Sequence, residues 1–189
     1  MKILTFGEIM LRLKTPDHLR IVQTDSFEAS YGGAESNVAV SLATLGDDAA
    51  FVTKLPKNPV GDAAFNELRR YGVDTSRILR GGPRLGIYYF EKGSDIRPTN
   101  VLYDRAGSAL AEADAGEFDW KALLDGVDIF FFSGVTPAIS TSVEQTVRDA
   151  LQYCHAHGIT VICDLKYRAK MWSREKAQSV MKELMQYVD

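Results

Sequence analysis

The chain has 189 residues, of which 46% are hydrophobic and 25% charged, and its formal net charge is −3. This is enough chain for one sizeable core, or for most of a larger domain, with the composition of an ordinary globular protein. Slight acidity, and the lack of any Lys/Arg cluster with interleaved aromatics, argue against nucleic acid as a partner. His155 and His157 point to different faces of a helix and His18 lies far away in sequence, so no metal site is expected. Cys154 and Cys163 lack a framework spacing and read as reduced, packed thiols. The apolar run at the N-terminus is too short for a signal peptide, and no segment is long enough to span a bilayer. A cytoplasmic protein without a membrane partner is expected.

In chain order, Ile3 to Phe6 reads as a short buried strand closed by Gly7, and Asp25 to Tyr31 as an edge strand or a loop. After Gly32-Gly33, the residues Val38, Leu42 and Leu45 form an apolar stripe at helical spacing, with Gly46 placed to end the helix. Ala49 to Leu55 reads as one strand. Asn58-Pro59 reads as an N-cap followed by a first-turn proline, opening a helix through Phe65, Leu68 and Tyr71 that stops at Gly72. Ile87 to Glu91 and Ile96 to Tyr103 read as a hairpin around Lys92-Gly93-Ser94-Asp95, with Pro98 confining the second arm to an edge or a bulge. Ile129 to Ser133 is a nearly continuous apolar run, as in a strand covered on both faces. Thr141-Ser142-Val143-Glu144 reads as a capping box for a helix through Val147 and Leu151 that ends at Gly158. Thr160 to Cys163 is the next strand, and Ser173 caps a last helix through Met181, Leu184 and Met185. This alternation predicts an α/β fold, with an open, mostly parallel sheet flanked by helices.

The glycine pair at a helix N-terminus is either a plain tight turn or a place where backbone approaches an oxygen-rich ligand. The run Tyr31-Gly32-Gly33-Ala34-Glu35-Ser36-Asn37-Val38-Ala39-Val40 resembles the N-terminal signature of the ribokinase-like (PfkB-type) carbohydrate kinases. Within that family its Gly-Gly-Ala-Glu-x-Asn-Val-Ala form is most similar to the 2-keto-3-deoxygluconate kinases. The resemblance implies that Gly32, Gly33 and Asn37 approach sugar hydroxyls. It also implies that the hairpin belongs to a small β-lid, formed by about 12–31 and 85–105, which brings Tyr88 or Tyr89, Tyr103 and Arg105 to the sugar. Arg105 offers a planar fork suited to a carboxylate.

Asp164-Leu165-Lys166-Tyr167-Arg168 follows a buried strand and resembles the family's Asp-x-Asn-x-Arg segment, placing Arg168 at the substrate and Lys166 near the nucleotide phosphate. Lys166 stands where the family carries asparagine. Arg12 is a further candidate, since many family members carry a hydroxyl-binding aspartate there and a basic residue suits an acidic sugar; the alternative is a solvent-facing arginine.

Other nucleotide schemes are unsupported, because no P-loop, dinucleotide-binding or nucleophile-elbow motif is present. The function implied is transfer of the ATP γ-phosphate, with Mg2+, to 2-keto-3-deoxygluconate. A fructokinase of the same family or a non-catalytic sugar-binding module are the alternatives. The resemblance places the general-base aspartate and a magnesium-linked Asn-x-x-Glu motif beyond residue 189, so no catalytic or metal residue is assigned within 1–189. The chain is accordingly expected to be the N-terminal part of one ribokinase-like domain, without its C-terminal part. It would be a fragment or a truncated product, inactive as a kinase by itself. An exposed lid edge favours homodimers through the lid.

Overall fold

The apolar run at the N-terminus becomes a central strand in the computed structural model, which describes residues 1–189. Strand β1 (Lys2–Phe6) pairs in parallel with β4 (Asp48–Val52) and β9 (Ile129–Ser133), and β10 (Thr160–Asp164) pairs in parallel with β9. The order β10-β9-β1-β4 makes a four-stranded parallel sheet. Alternation along β1 and β4 divides the core. Leu4, Phe6, Ala50 and Val52 join Phe130, Phe132 and Trp120 of the short α3 (Trp120–Leu123) on the face covered by α4 (Thr141–His157) and α5 (Arg174–Leu184). Phe51 faces the other way, toward Ala39 of α1 (Ala34–Leu45) and Ala64 and Leu68 of α2 (Pro59–Arg70). Both faces are therefore buried, which explains why the strands carry continuous apolar runs. No helix is long and apolar enough to cross a membrane.

A second four-stranded sheet, the small sheet, is built from segments that lie between the strands of the first. Its strands are β2 (Met10–Lys14), β3 (Glu28–Gly32), β7 (Ile87–Glu91) and β8 (Asn100–Asp104), in the order β3-β2-β7-β8. The β2–β3 and β7–β8 pairs are antiparallel, whereas β2 and β7 run parallel. Of the two readings of Asp25 to Tyr31, the edge strand is the one adopted. Strand β2 was not foreseen, because five residues carry too little alternation to stand out without a partner.

Several local signals act as read. Asn58 accepts the Gly61 N–H at 2.9 Å with Pro59 in the first turn, Gly46 ends α1 at φ 96°, and Ser173 caps α5 through the Lys176 N–H. Others need correction. Ala49 to Leu55 is not one strand, because the chain leaves β4 at Val52 and forms β5 (Lys54–Leu55), which pairs with β6 (Leu79–Arg80) in a separate sheet. Leu45 is 81% exposed, and the buried face of α1 carries Glu35, Ser36 and Ala39. The apolar stripe that meets the core is Ala39 with Val40 and Ala43, and Glu35 and Ser36 are buried beside it in the first turn. The cap of α4 is Ser140, which accepts the Val143 N–H, while Glu144 pairs with Arg148 and Lys176 instead of closing a box. Pro98 lies outside β8, in the turn before Asn100, where its missing N–H interrupts no ladder.

Candidate active site

Open parallel sheets bind ligands beyond the carboxyl ends of their strands. Here the segments after β9 and β10 meet the first turn of α1 and one face of the small sheet, enclosing a cleft of about 930 Å3. Gly32, Gly33, Asn37, Tyr88, Tyr103, Arg105, Lys166 and Arg168 all line it. Tyr89 does not. Strand alternation turns it to the opposite face of the small sheet, where its ring meets Phe27 edge-on at 5.8 Å. Of the two candidate tyrosines the cleft thus contains Tyr88, whose ring lies 5.8 Å from that of Tyr103 across the β7–β8 pair. Burial pushes the Tyr88 phenol above its ordinary range. The pair forms an apolar wall with two hydroxyls at its rim.

The charge on the cleft is of one sign. Arg12, Arg105, Lys166, Arg168 and Lys170 line it, and no carboxylate does. In a protein of net charge −3 this is a local concentration of positive potential, suited to an anionic ligand.

The two glycines differ in what a side chain would meet. A Cβ on Gly33 would lie 1.9 Å from the Glu8 carbonyl oxygen, so glycine is required there by packing of the chain on itself. At Gly32 a Cβ would lie 3.4 Å from Asn37 Oδ1 and 3.6 Å from the Tyr88 hydroxyl, in ordinary contact and at the cleft. Both glycines line the cleft, and only Gly32 has room for a Cβ. Asn37 sits one turn further on, and its Oδ1 accepts the Gly33 N–H at 3.4 Å, which leaves the amide N–H groups as donors to the cleft.

Arg105 is not a free fork. Its guanidinium forms an ion pair with Glu8, which is only 5% exposed and also accepts the Ser108 hydroxyl. The other end of the guanidinium lies 3.5 Å from Met171 Sδ at the cleft wall. Glu8 therefore holds Arg105 at the cleft, and sequence reasoning missed it. The available signal was an acidic residue next to the glycine that closes the first buried strand. Neighbouring Asp104 turns away to a two-pronged pair with Arg84, which holds its carboxyl below the usual range.

Glu35 was also missed. It is 1% exposed, accepts the hydroxyls of Ser133 and Thr136 (2.8 Å to Thr136), and occupies the space a Cβ on Gly7 would need. It ties the first turn of α1 to the segment after β9, both of which line the cleft. Burial pushes its carboxyl above the usual range and outweighs the opposing hydroxyl bonds and the charge of Arg105. A carboxyl raised on folding favours the folded state below the unfolded pKa, and that contribution is lost as pH rises through the folded value. Glu35→Gln keeps an acceptor for both hydroxyls without a titrating proton. We expect it to flatten the decline in melting temperature as pH rises above about 4.3. Identical pH profiles for variant and parent in thermal melts would contradict this.

A parallel α/β sheet with a small sheet across its carboxyl end, and a cation-lined cleft between them, defines an α/β protein whose cleft carries positive potential. Residues 1–189 match the family described as pfkB family carbohydrate kinase, and the chain belongs to that family. It is 40% identical over 188 residues to a 2-dehydro-3-deoxygalactonokinase of Haloferax volcanii, covering 100% of this chain and 59% of that one. It is 26% identical to a 2-dehydro-3-deoxygluconokinase of Bacillus subtilis, covering 89% of this chain and 52% of the relative. The crystal structure of a 2-dehydro-3-deoxygluconokinase from Thermotoga maritima superposes with a TM-score of 0.97 at 56% identity, covering 100% of this chain and 58% of that one. The chain thus spans between half and three-fifths of the length of these relatives.

Proposed function

We propose that this chain supplies the sugar-binding part of a kinase that phosphorylates 2-keto-3-deoxygluconate from ATP. The observation that carries the reading is the cleft lined by five cationic side chains and no carboxylate, because a sugar acid needs what a neutral sugar does not. In this reading the small sheet is the lid. Gly32 and Asn37 meet hydroxyls, Tyr88 and Tyr103 cover the apolar face of the sugar, and Arg105 and Arg168 take the carboxylate. Lys166, on the segment after β10, suits a phosphate of ATP as a point charge. Phosphoryl transfer relies on positioning and on neutralising charge, and these residues do the first for the sugar. No group of three or more His, Cys, Asp or Glu side chains converges within residues 1–189. The reading includes Mg2+ as a cofactor of the family, with no ligand assigned to it within residues 1–189. The unpaired outer edges of β3 and β8 extend the reading to a homodimer through the lid, and a cytoplasmic location goes with it.

The relative from Haloferax volcanii supports a second reading, in which the substrate is the galacto counterpart of the same acid. Calorimetry with both acids and with neutral fructose tests the class. The acids are expected to bind at least about tenfold tighter, the range of one charged hydrogen bond. Arg168→Ala should remove most of that preference. Equal affinity for fructose and the acids would return the chain to a fructokinase-like reading.

A further inference from the structure

Four of the five cations of the cleft are answered within the protein or rise from one loop. Arg105 is paired with Glu8, Lys170 donates to the Val101 carbonyl, and Lys166 and Arg168 stand on the segment after β10. Arg12 differs. It stands on β2 of the small sheet, in register with Tyr88 on β7, and lines the cleft from that sheet, whereas Lys166 and Arg168 line it from the segment after β10. It is half-buried, yet it makes no ion pair and no hydrogen bond, and its Nε is fully buried without an acceptor. Its one partner is Phe90, two residues beyond Tyr88 on the same face, with Cζ 4.3 Å from the ring centroid. A cation–π contact offsets only part of the desolvation of a guanidinium, and five N–H donors remain unused. A side chain held in one plane by stacking, with its donors unspent at a cleft wall, is preorganised for a planar anion.

We infer that Arg12 is a specificity-determining residue, whose guanidinium binds the anionic group of the substrate from the small-sheet side of the cleft. The inference rests on the sugar-acid reading above, and it adds a contact that Arg105 and Arg168 do not supply. Phe90 is the positioning residue for it.

Calorimetry on the whole 189-residue chain, with 2-keto-3-deoxygluconate and fructose as probes, tests this. Arg12→Gln is expected to weaken binding of the acid by about tenfold or more, to leave fructose within twofold, and to flatten the salt dependence of acid binding. Unchanged acid affinity, or an equal loss for acid and fructose, overturns the inference and leaves Arg12 a structural stacking partner. Phe90→Leu removes the stacking surface while keeping the charge, and should weaken the acid by about threefold with fructose unaffected. If Arg12→Gln fails to fold, unchanged acid affinity in Phe90→Leu overturns the inference on its own. A parent chain that shows no preference for the acid overturns the functional reading itself, and the role of Arg12 with it.

Discussion

Arg105→Ala is expected to lower folding stability by about 3–5 kcal/mol, the range for removing one partner of a buried ion pair. Glu8 is 5% exposed, and the Arg105 side chain 13%, so little water is available to replace the lost partner. In a protein of this length that loss corresponds to a fall in melting temperature of roughly 6–20 °C. The same substitution should weaken acid binding by about 1.5–3 kcal/mol, as for a lost charged hydrogen bond. Adding Glu8→Gln separates the two effects. A neutral amide can still accept the Ser108 hydroxyl, so the double variant should regain much of the stability and none of the affinity. An Arg105→Ala protein that melts with the parent and binds the acid as well would show that the pair neither supports the fold nor serves the cleft.

The adjacent glycines should separate in the opposite sense. Gly33→Val places a Cβ 1.9 Å from the Glu8 carbonyl oxygen, a backbone atom on the short connection between β1 and β2. Neither side can yield by a rotamer change. The expected loss is at least about 3 kcal/mol, the upper end for overpacking, with reduced helical signal in circular dichroism as the first turn of α1 is displaced. Gly32→Ala meets only the ends of the Asn37 and Tyr88 side chains, at 3.4 and 3.6 Å. It should melt within about 1 kcal/mol of the parent and still weaken sugar binding by roughly tenfold, because its Cβ takes space a ligand needs. Gly33→Val folding normally, or Gly32→Ala binding normally, would reverse the assignment of the two positions.

Signals that act within one turn or one strand were legible in the sequence. Asn58-Pro59, Gly46 and Ser173 cap their helices by bonding groups two to four residues away, so no distant partner has to be known. The continuous apolar run Ile129 to Ser133 required a sheet covered on both faces, and the fold supplies it. The glycine pair, Asn37, the hairpin and the segment through Arg168 carried the family resemblance, and the structure brings them to one cleft.

What the sequence could not contain was the pairing of residues far apart. Whether Tyr88 or Tyr89 faces the cleft depends on the register of β7 against β2 and β8, and a one-residue slip would exchange them. Arg105 reads as a free fork until the fold places Glu8 beside it, 97 positions earlier in the chain. Glu35 reads as a first-turn helix residue until Ser133 and Thr136, about a hundred residues later, close over it. By itself the sequence determined the elements and the residues available for chemistry, because propensity, capping and apolar period are local. Tertiary structure alone decided which charges are already spent inside the protein and which, like that of Arg12, remain unpaired at the cleft. Burial and electrostatic pairing are properties of neighbours in space.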